Sequence, residues 1–166
     1  IYDGTDATML SGETAAGDYP VKSVKTMAKI AEETEKSLDY DKLMDRENLF
    51  DTETINREHL SSSNSITGTI SSATCEAAYE LEAAAIITST QSGYTARMVS
   101  KHRPQTPIIA VTPNQKVFNK LILSWGIKPI LSAKIESTDG LVEDAIKSAK
   151  EAGYISVDDI VVITSG

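Results

Sequence analysis

The stretch Ile86-Ile87-Thr88-Ser89-Thr90-Gln91-Ser92-Gly93-Tyr94-Thr95-Ala96 reads as strand, turn and helix in direct succession. Ala83 to Thr88 is apolar and too short for a helix, which suits a buried strand. Thr90 to Gly93 turns the chain. Thr95 to His102 is helical, and Arg103-Pro104 ends it, because a residue before proline is pushed out of helical geometry. The rhythm then repeats. Pro107 to Val111 is apolar, Asn114 to Ser124 is helical, and Lys128 to Leu131 is a weaker strand. Asp139 to Ala152 is helical with Gly153 as its C-terminal cap, and Ile160 to Ile163 is the last apolar run. Strands made of unbroken Ile, Val and Ala are buried on both faces. The expected fold is therefore α/β, a three-layer α/β/α sandwich with a mainly parallel sheet.

Upstream of this stretch, Ile66, Ile70, Ala73, Ala77 and Leu81 follow a 4-3-4-4 spacing, the apolar stripe of one helix. Cys75 lies within that helix among small residues and reads as a buried, inert thiol. Asp39 to Ser65 has few large apolar residues and is expected to be a surface connection, with a helical turn around Tyr40 to Met44. At the start of the chain, Ala7 to Ser11 reads as a short buried strand and Gly12 to Asp18 as a loop. Pro20 opens a helix at the position where its missing N–H costs nothing. The expected organisation is 1–38 as a first piece, 39–64 as a linker and 65–166 as an α/β domain.

Composition narrows the function. Of 166 residues, Lys and Arg total 16 and Asp and Glu total 24, a net charge of −8. The mean field repels phosphate polymers, so no nucleic-acid partner and no membrane partner is expected. One cysteine permits neither an internal disulfide nor a cysteine-based zinc site, and a reducing compartment fits. No apolar run approaches the roughly 20 residues that span a bilayer. The chain opens at Ile1 without an initiator Met, which suggests an excised piece.

In an open parallel sheet, ligands sit at the carboxyl ends of strands, beside helix N-termini. The turn after Ile86-Ile87 fits that rule. Unpaired N–H groups at the helix start carry about half a positive charge, and Thr88, Thr90, Ser92 and Thr95 add hydroxyls. Gly93 would let the chain approach a ligand oxygen. These features suit a phosphate; the alternative is that the hydroxyls only cap the helix. Gly12 to Gly17 has P-loop spacing, but Asp18-Tyr19 replaces the Lys and Ser/Thr which that motif needs. Asp3 and Asp6 read as solvated or turn-capping acids, and His59 and His102 as surface histidines. Trp125 is expected to pack at the sheet edge. Lys101, His102 and Arg103 suit a helix C-terminus.

Asp3-Gly4-Thr5-Asp6-Ala7-Thr8-Met9-Leu10-Ser11-Gly12-Glu13-Thr14-Ala15-Ala16-Gly17-Asp18-Tyr19-Pro20 closely resembles the segment of pyruvate kinases that forms the last strand of their (β/α)₈ barrel and the loop after it. Downstream, Thr90 to Ala96, Ser100 to Pro104, Ile109 to Thr112, Trp125-Gly126 and Asp159 to Gly166 resemble the same family in order. The resemblance implies that residues 1–38 are a remnant of that barrel and 65–166 its C-terminal α/β domain, lacking a final effector loop and strand. It implies a cytoplasmic glycolytic transferase that moves a phosphoryl group from phosphoenolpyruvate to ADP, giving pyruvate and ATP. It also implies magnesium or manganese and potassium in the parent enzyme, none of them held by these residues, and a homo-oligomer, a tetramer in the parent. Ser11 matches a serine near the proton-transfer route, and Glu13 holds its loop. Thr90, Gln91, Ser92, Gly93, Tyr94 and Thr95 match the loop that binds the phosphate of a sugar effector.

The piece alone is expected to be catalytically inactive and to act in regulation and assembly. Lys134 to Leu141 contains neither Trp nor Arg. Family members that bind fructose 1,6-bisphosphate typically use such residues for the second phosphate, so the expectation stays open between that sugar, a mono-phosphorylated sugar, a nucleotide monophosphate and no effector at all. The rival readings are a stand-alone phosphate-binding module and a generic oligomerisation domain.

Overall fold

The computed structural model describes residues 2, 4–40, 62–132 and 138–165. Asp3, His59, the connection 41–61, and the first half of the Lys134 to Leu141 segment lie outside the described residues. The chain forms two units, Ile1–Asp39 and Tyr40–Gly166.

In the first unit, α1 spans Gly12–Ala15 and α2 spans Pro20–Lys36, with the proline at the first helical position. The expected strand at Ala7 to Ser11 is not one. Its backbone finds no ladder partner, and Met9 is 85% exposed. A strand satisfies its N–H and C=O groups only through a neighbour, and the described part of this unit contains no other strand. The expected loop after it is partly helical, because the N–H groups of Thr14 and Ala15 turn back onto the carbonyl of Ser11. Gly17 follows so closely that a Cβ there would stand 2.6 Å from the carbonyl oxygen of Glu13.

The second unit runs α3 (Ser62–Glu80), β1 (Ala85–Ser89), α4 (Tyr94–Lys101), β2 (Ile108–Thr112), α5 (Gln115–Leu121), β3 (Ile127–Leu131), α6 (Thr138–Glu151) and β4 (Val161–Ser165). The sheet order is β3-β2-β1-β4 and every pairing is parallel. Crossovers between parallel strands are right-handed. The chain steps from β1 to β2 to β3 in one direction, which puts α4 and α5 on one face. It then returns past β1 to β4, which puts α6 on the other. Two apolar clusters record this arrangement. Ile86, Ile108, Ala110 and Ile127 pack with Cys75, Ala78, Ala96, Val99, Val117 and Leu121. Ala85, Ile87, Ile109 and Val111 pack with Ala145, Ala149 and Ile155. The three-layer α/β/α sandwich is therefore the observed fold, with element ends a few residues from those expected. Asn114 lies just before α5 rather than inside it, its side chain accepting from the N–H groups of Lys116 and Val117 at 2.9 and 3.4 Å.

Two further expectations fail. The stripe on α3 faces outward: Ile66 is 63% exposed, and Ile70 and Leu81 are each 52% exposed. The buried face is instead Ser71, Thr74, Cys75 and Ala78. These small side chains let the helix sit close to its neighbours. The Thr74 hydroxyl is satisfied locally, donating to the carbonyl of Ile70 at 2.7 Å. Cys75 is buried as expected, and desolvation pushes its thiol up to about 12. His102 is also buried, not on the surface. The chain reverses at Arg103 in the left-handed region, φ +50, and folds His102 and Pro104 inward. The Arg103 guanidinium lies 4.9 Å from the centre of the Trp125 ring, and the Ser100 hydroxyl donates to the Trp125 carbonyl at 2.6 Å. These contacts fix the entry to β3, an edge strand of the sheet.

The choice of buried face on α3 is testable by urea denaturation. Ala78→Leu should cost about 1–3 kcal/mol through overpacking, whereas Ile70→Ser should change stability by no more than about 0.5 kcal/mol.

Candidate functional site at the end of the central strand

The strand order doubles back between β1 and β4, and in open parallel sheets ligand crevices form beyond the strand ends at such a point. The turn Thr90 to Gly93 leaves β1 at this place. Its first N–H, on Thr90, donates to the carbonyl of Val111 at 3.0 Å, which ties the turn to β2. The N–H of Gly93 donates to Thr90 Oγ1 at 3.0 Å, and that of Tyr94 to Ser92 Oγ at 3.3 Å. For these two hydroxyls the capping role is realised. The next two amides, on Thr95 and Ala96, stand in the first turn, where a helix offers no acceptor of its own. The first intrahelical bond runs from the N–H of Arg97 to the carbonyl of Gly93 at 3.1 Å.

Gly93 sits at φ +78, a conformation that costs little only for glycine. A Cβ there would meet Val117 Cγ1 at 3.0 Å, Leu121 Cδ2 at 3.1 Å and Arg97 Nη1 at 3.2 Å. The close neighbour that demands glycine is thus α5. Thr90, Gly93 and Thr95 are buried, while Gln91, Ser92 and Tyr94 are exposed. Arg97 did not figure in the sequence reading. Its guanidinium donates to the carbonyl of Ser92 at 3.4 Å and stays exposed, so it brings a cation to the rim of the turn. Its place four residues after Gly93 was the available signal, because a helix carries residues four apart on one side.

Ser11 belongs to the first unit, at the N-terminal cap of α1. Its N–H donates to Glu13 Oε2 at 3.0 Å. Hydrogen bonds from the backbone N–H groups of Glu13 itself and of Ser11 hold that exposed carboxyl below its ordinary value. Glu13 therefore ties its own loop together. A cavity of about 570 Å³ in this unit is lined by Thr8, Leu10, Tyr19, Lys22, Met27 and Ile30 among others and by no carboxylate. It offers no acid–base pair. Among the described residues no group of three or more His, Cys, Asp or Glu side chains is placed to hold a metal ion. Among them, too, no helix is long and apolar enough to cross a membrane.

A doubly wound parallel α/β sandwich with a hydroxyl-rich turn beyond its central strand is the class that these features define. Comparison with known proteins is consistent with that class and narrower. Residues 68–166 match the family model described as pyruvate kinase, alpha/beta domain, and the chain belongs to the pyruvate kinase family. Over the whole chain it is 51% identical to the pyruvate kinase of Clostridium acetobutylicum, of which it covers 33%. It is 42% identical to that of Staphylococcus aureus, of which it covers 26%. A crystal structure of Cryptosporidium parvum pyruvate kinase superposes with a TM-score of 0.83 at 30% identity, over 98% of this chain and 32% of the other. The chain thus spans between a quarter and a third of the length of these relatives.

Two outcomes follow for the loops. Gly93→Ala should lower the unfolding free energy read from urea denaturation by at least about 1 kcal/mol from the left-handed φ alone, more with the α5 contact. The Glu13 carboxyl is depressed on folding, so its contribution is present above the unfolded pKa and lost as pH falls through the folded one. The amide resonances of Ser11 and Glu13 should therefore shift together at a pH below the usual glutamate range; a midpoint at the ordinary value would contradict the loop-holding role.

Proposed function

We propose that this chain acts as the effector-responsive and assembly part of a pyruvate kinase, the glycolytic enzyme that transfers a phosphoryl group from phosphoenolpyruvate to ADP. The observation that carries the reading is the turn Thr90 to Thr95 at the β1–β4 switch point. It joins first-turn amides of α4, five hydroxyl or amide side chains and the Arg97 guanidinium at one strand end. An acidic protein binds a phosphate monoester there through oriented N–H groups and one local cation. The whole enzyme would use magnesium or manganese and potassium, held by residues other than those described here. Phosphoryl transfer depends on positioned cations, so the 166 residues alone should not turn over. Residues 1–38 would be barrel sequence, 39–64 a linker and 65–166 the effector domain. The enzyme would work in the cytoplasm as a homo-oligomer, a tetramer in the full protein. The outward-facing Ile66 and Ile70 of α3, with Leu81 just after it, offer apolar area for such contacts.

The test is a thermal-shift titration with glucose 6-phosphate and inorganic phosphate. Saturation at one hundred times the dissociation constant should add about 2.7 kcal/mol of stability. Arg97→Gln should weaken binding about tenfold, the worth of one charge-assisted hydrogen bond, and flatten its salt dependence. A lactate-coupled assay should show no pyruvate formed by the chain. Absence of any phosphate-dependent shift would overturn the effector role, and measurable turnover would overturn the assignment of inactivity.

A further inference from the structure

We propose that Thr88 is a ligand-binding residue, the inner wall of the anion site beneath the Thr90 to Thr95 turn. The inference rests on the effector reading above and adds a residue to it. Thr88 is fully buried at 0% exposure, yet its Oγ1 finds no hydrogen-bond partner. Other threonines of the domain do better. Thr90 Oγ1 accepts from the N–H of Gly93, Thr112 Oγ1 accepts from that of Asn114, and Thr74 Oγ1 donates to the carbonyl of Ile70. A buried hydroxyl without a partner lowers stability, and valine would fill the same volume without that cost. The fold alone therefore gives no reason for the hydroxyl.

Its position supplies one. Side chains alternate along a strand, so Thr88 shares the face of Ile86, which packs against Ala96 and Val99 of α4. A crossover helix runs antiparallel to its strand, so the N-terminus of α4 lies toward the carboxyl end of β1. Thr88 is one pleat nearer that end than Ile86. The hydroxyl is thus carried on the side and at the level where the free amides of Thr95 and Ala96 begin. Across the β1–β4 boundary its register partner is Thr164, itself 9% exposed. The two threonines share one face of the sheet under the switch point. The chemistry that uses amide N–H groups, hydroxyls and a guanidinium together is an acceptor-rich anion, and a phosphoryl group offers three terminal oxygens. Because Thr88 has no exposed surface, such an oxygen reaches it only when the groups that cover it give way.

The experiment compares the full chain with Thr88→Val and Thr88→Ser, using urea denaturation and calorimetric titration with inorganic phosphate and glucose 6-phosphate. Thr88→Val should raise the denaturation midpoint while weakening phosphate binding about tenfold. Thr88→Ser, which keeps the hydroxyl, should retain most of the affinity. If the unaltered chain binds and Thr88→Val binds equally well, this inference is wrong and the effector reading stands. If Thr88→Val is less stable than the unaltered chain, the hydroxyl serves the fold and the inference is again wrong. If the unaltered chain binds neither probe, both fall together.

Discussion

Everything in the α/β unit is arranged around a strand that has no exposed side. Ala85, Ile86, Ile87 and Thr88 are each at zero exposure, and β1 is hydrogen-bonded along both edges, to β2 and to β4. Apolar side chains on both faces require a helix layer on each, and parallel neighbours on both sides require crossovers long enough to hold those helices. The doubling-back of strand order is the cheapest way to meet both demands, and it opens the crevice where β1 ends. Position of the candidate site is in this sense a by-product of burying one short segment.

Much of this was legible in the residues because the apolar runs are short, uninterrupted and separated by helices of ordinary length. Strands near Ile86, Ile109 and Val162 could hardly be anything else. What was not legible concerns faces and partners. On α3 the large apolar residues gave the stronger periodic signal, yet Ser71, Thr74, Cys75 and Ala78 are the ones against the domain. Close packing rewarded small volume there rather than hydrophobicity. His102 was misplaced because its burial comes from a left-handed residue after it, and Arg103 carries no local mark of that conformation. Ala7 to Ser11 has strand composition, but composition cannot supply a neighbour to pair with.

The site divided similarly. The turn and its helix stood out, since Ser, Thr and Gly cluster just past a buried strand. The division of labour within it did not. Two hydroxyls turned out to hold the turn's own amides, the glycine answered to a helix two elements away, and a charged group arrived from the first turn of α4. The charge problem posed by a net −8 is thereby reduced to a local question. A handful of dipoles and one guanidinium at a sheet end set the potential there, largely independent of distant carboxylates that salt screens beyond about 10 Å.

The missing side chain at residue 93 makes Val117 and Leu121 its functional substitutes, since their methyl groups occupy the space a Cβ would take. Three positions on two separate helical segments therefore share a single fixed volume. Over evolutionary time they are free to drift only as a set: a bulkier residue at the turn needs α5 trimmed first and still bears the strain of the left-handed backbone, and a smaller α5 leaves a hollow that the turn must close.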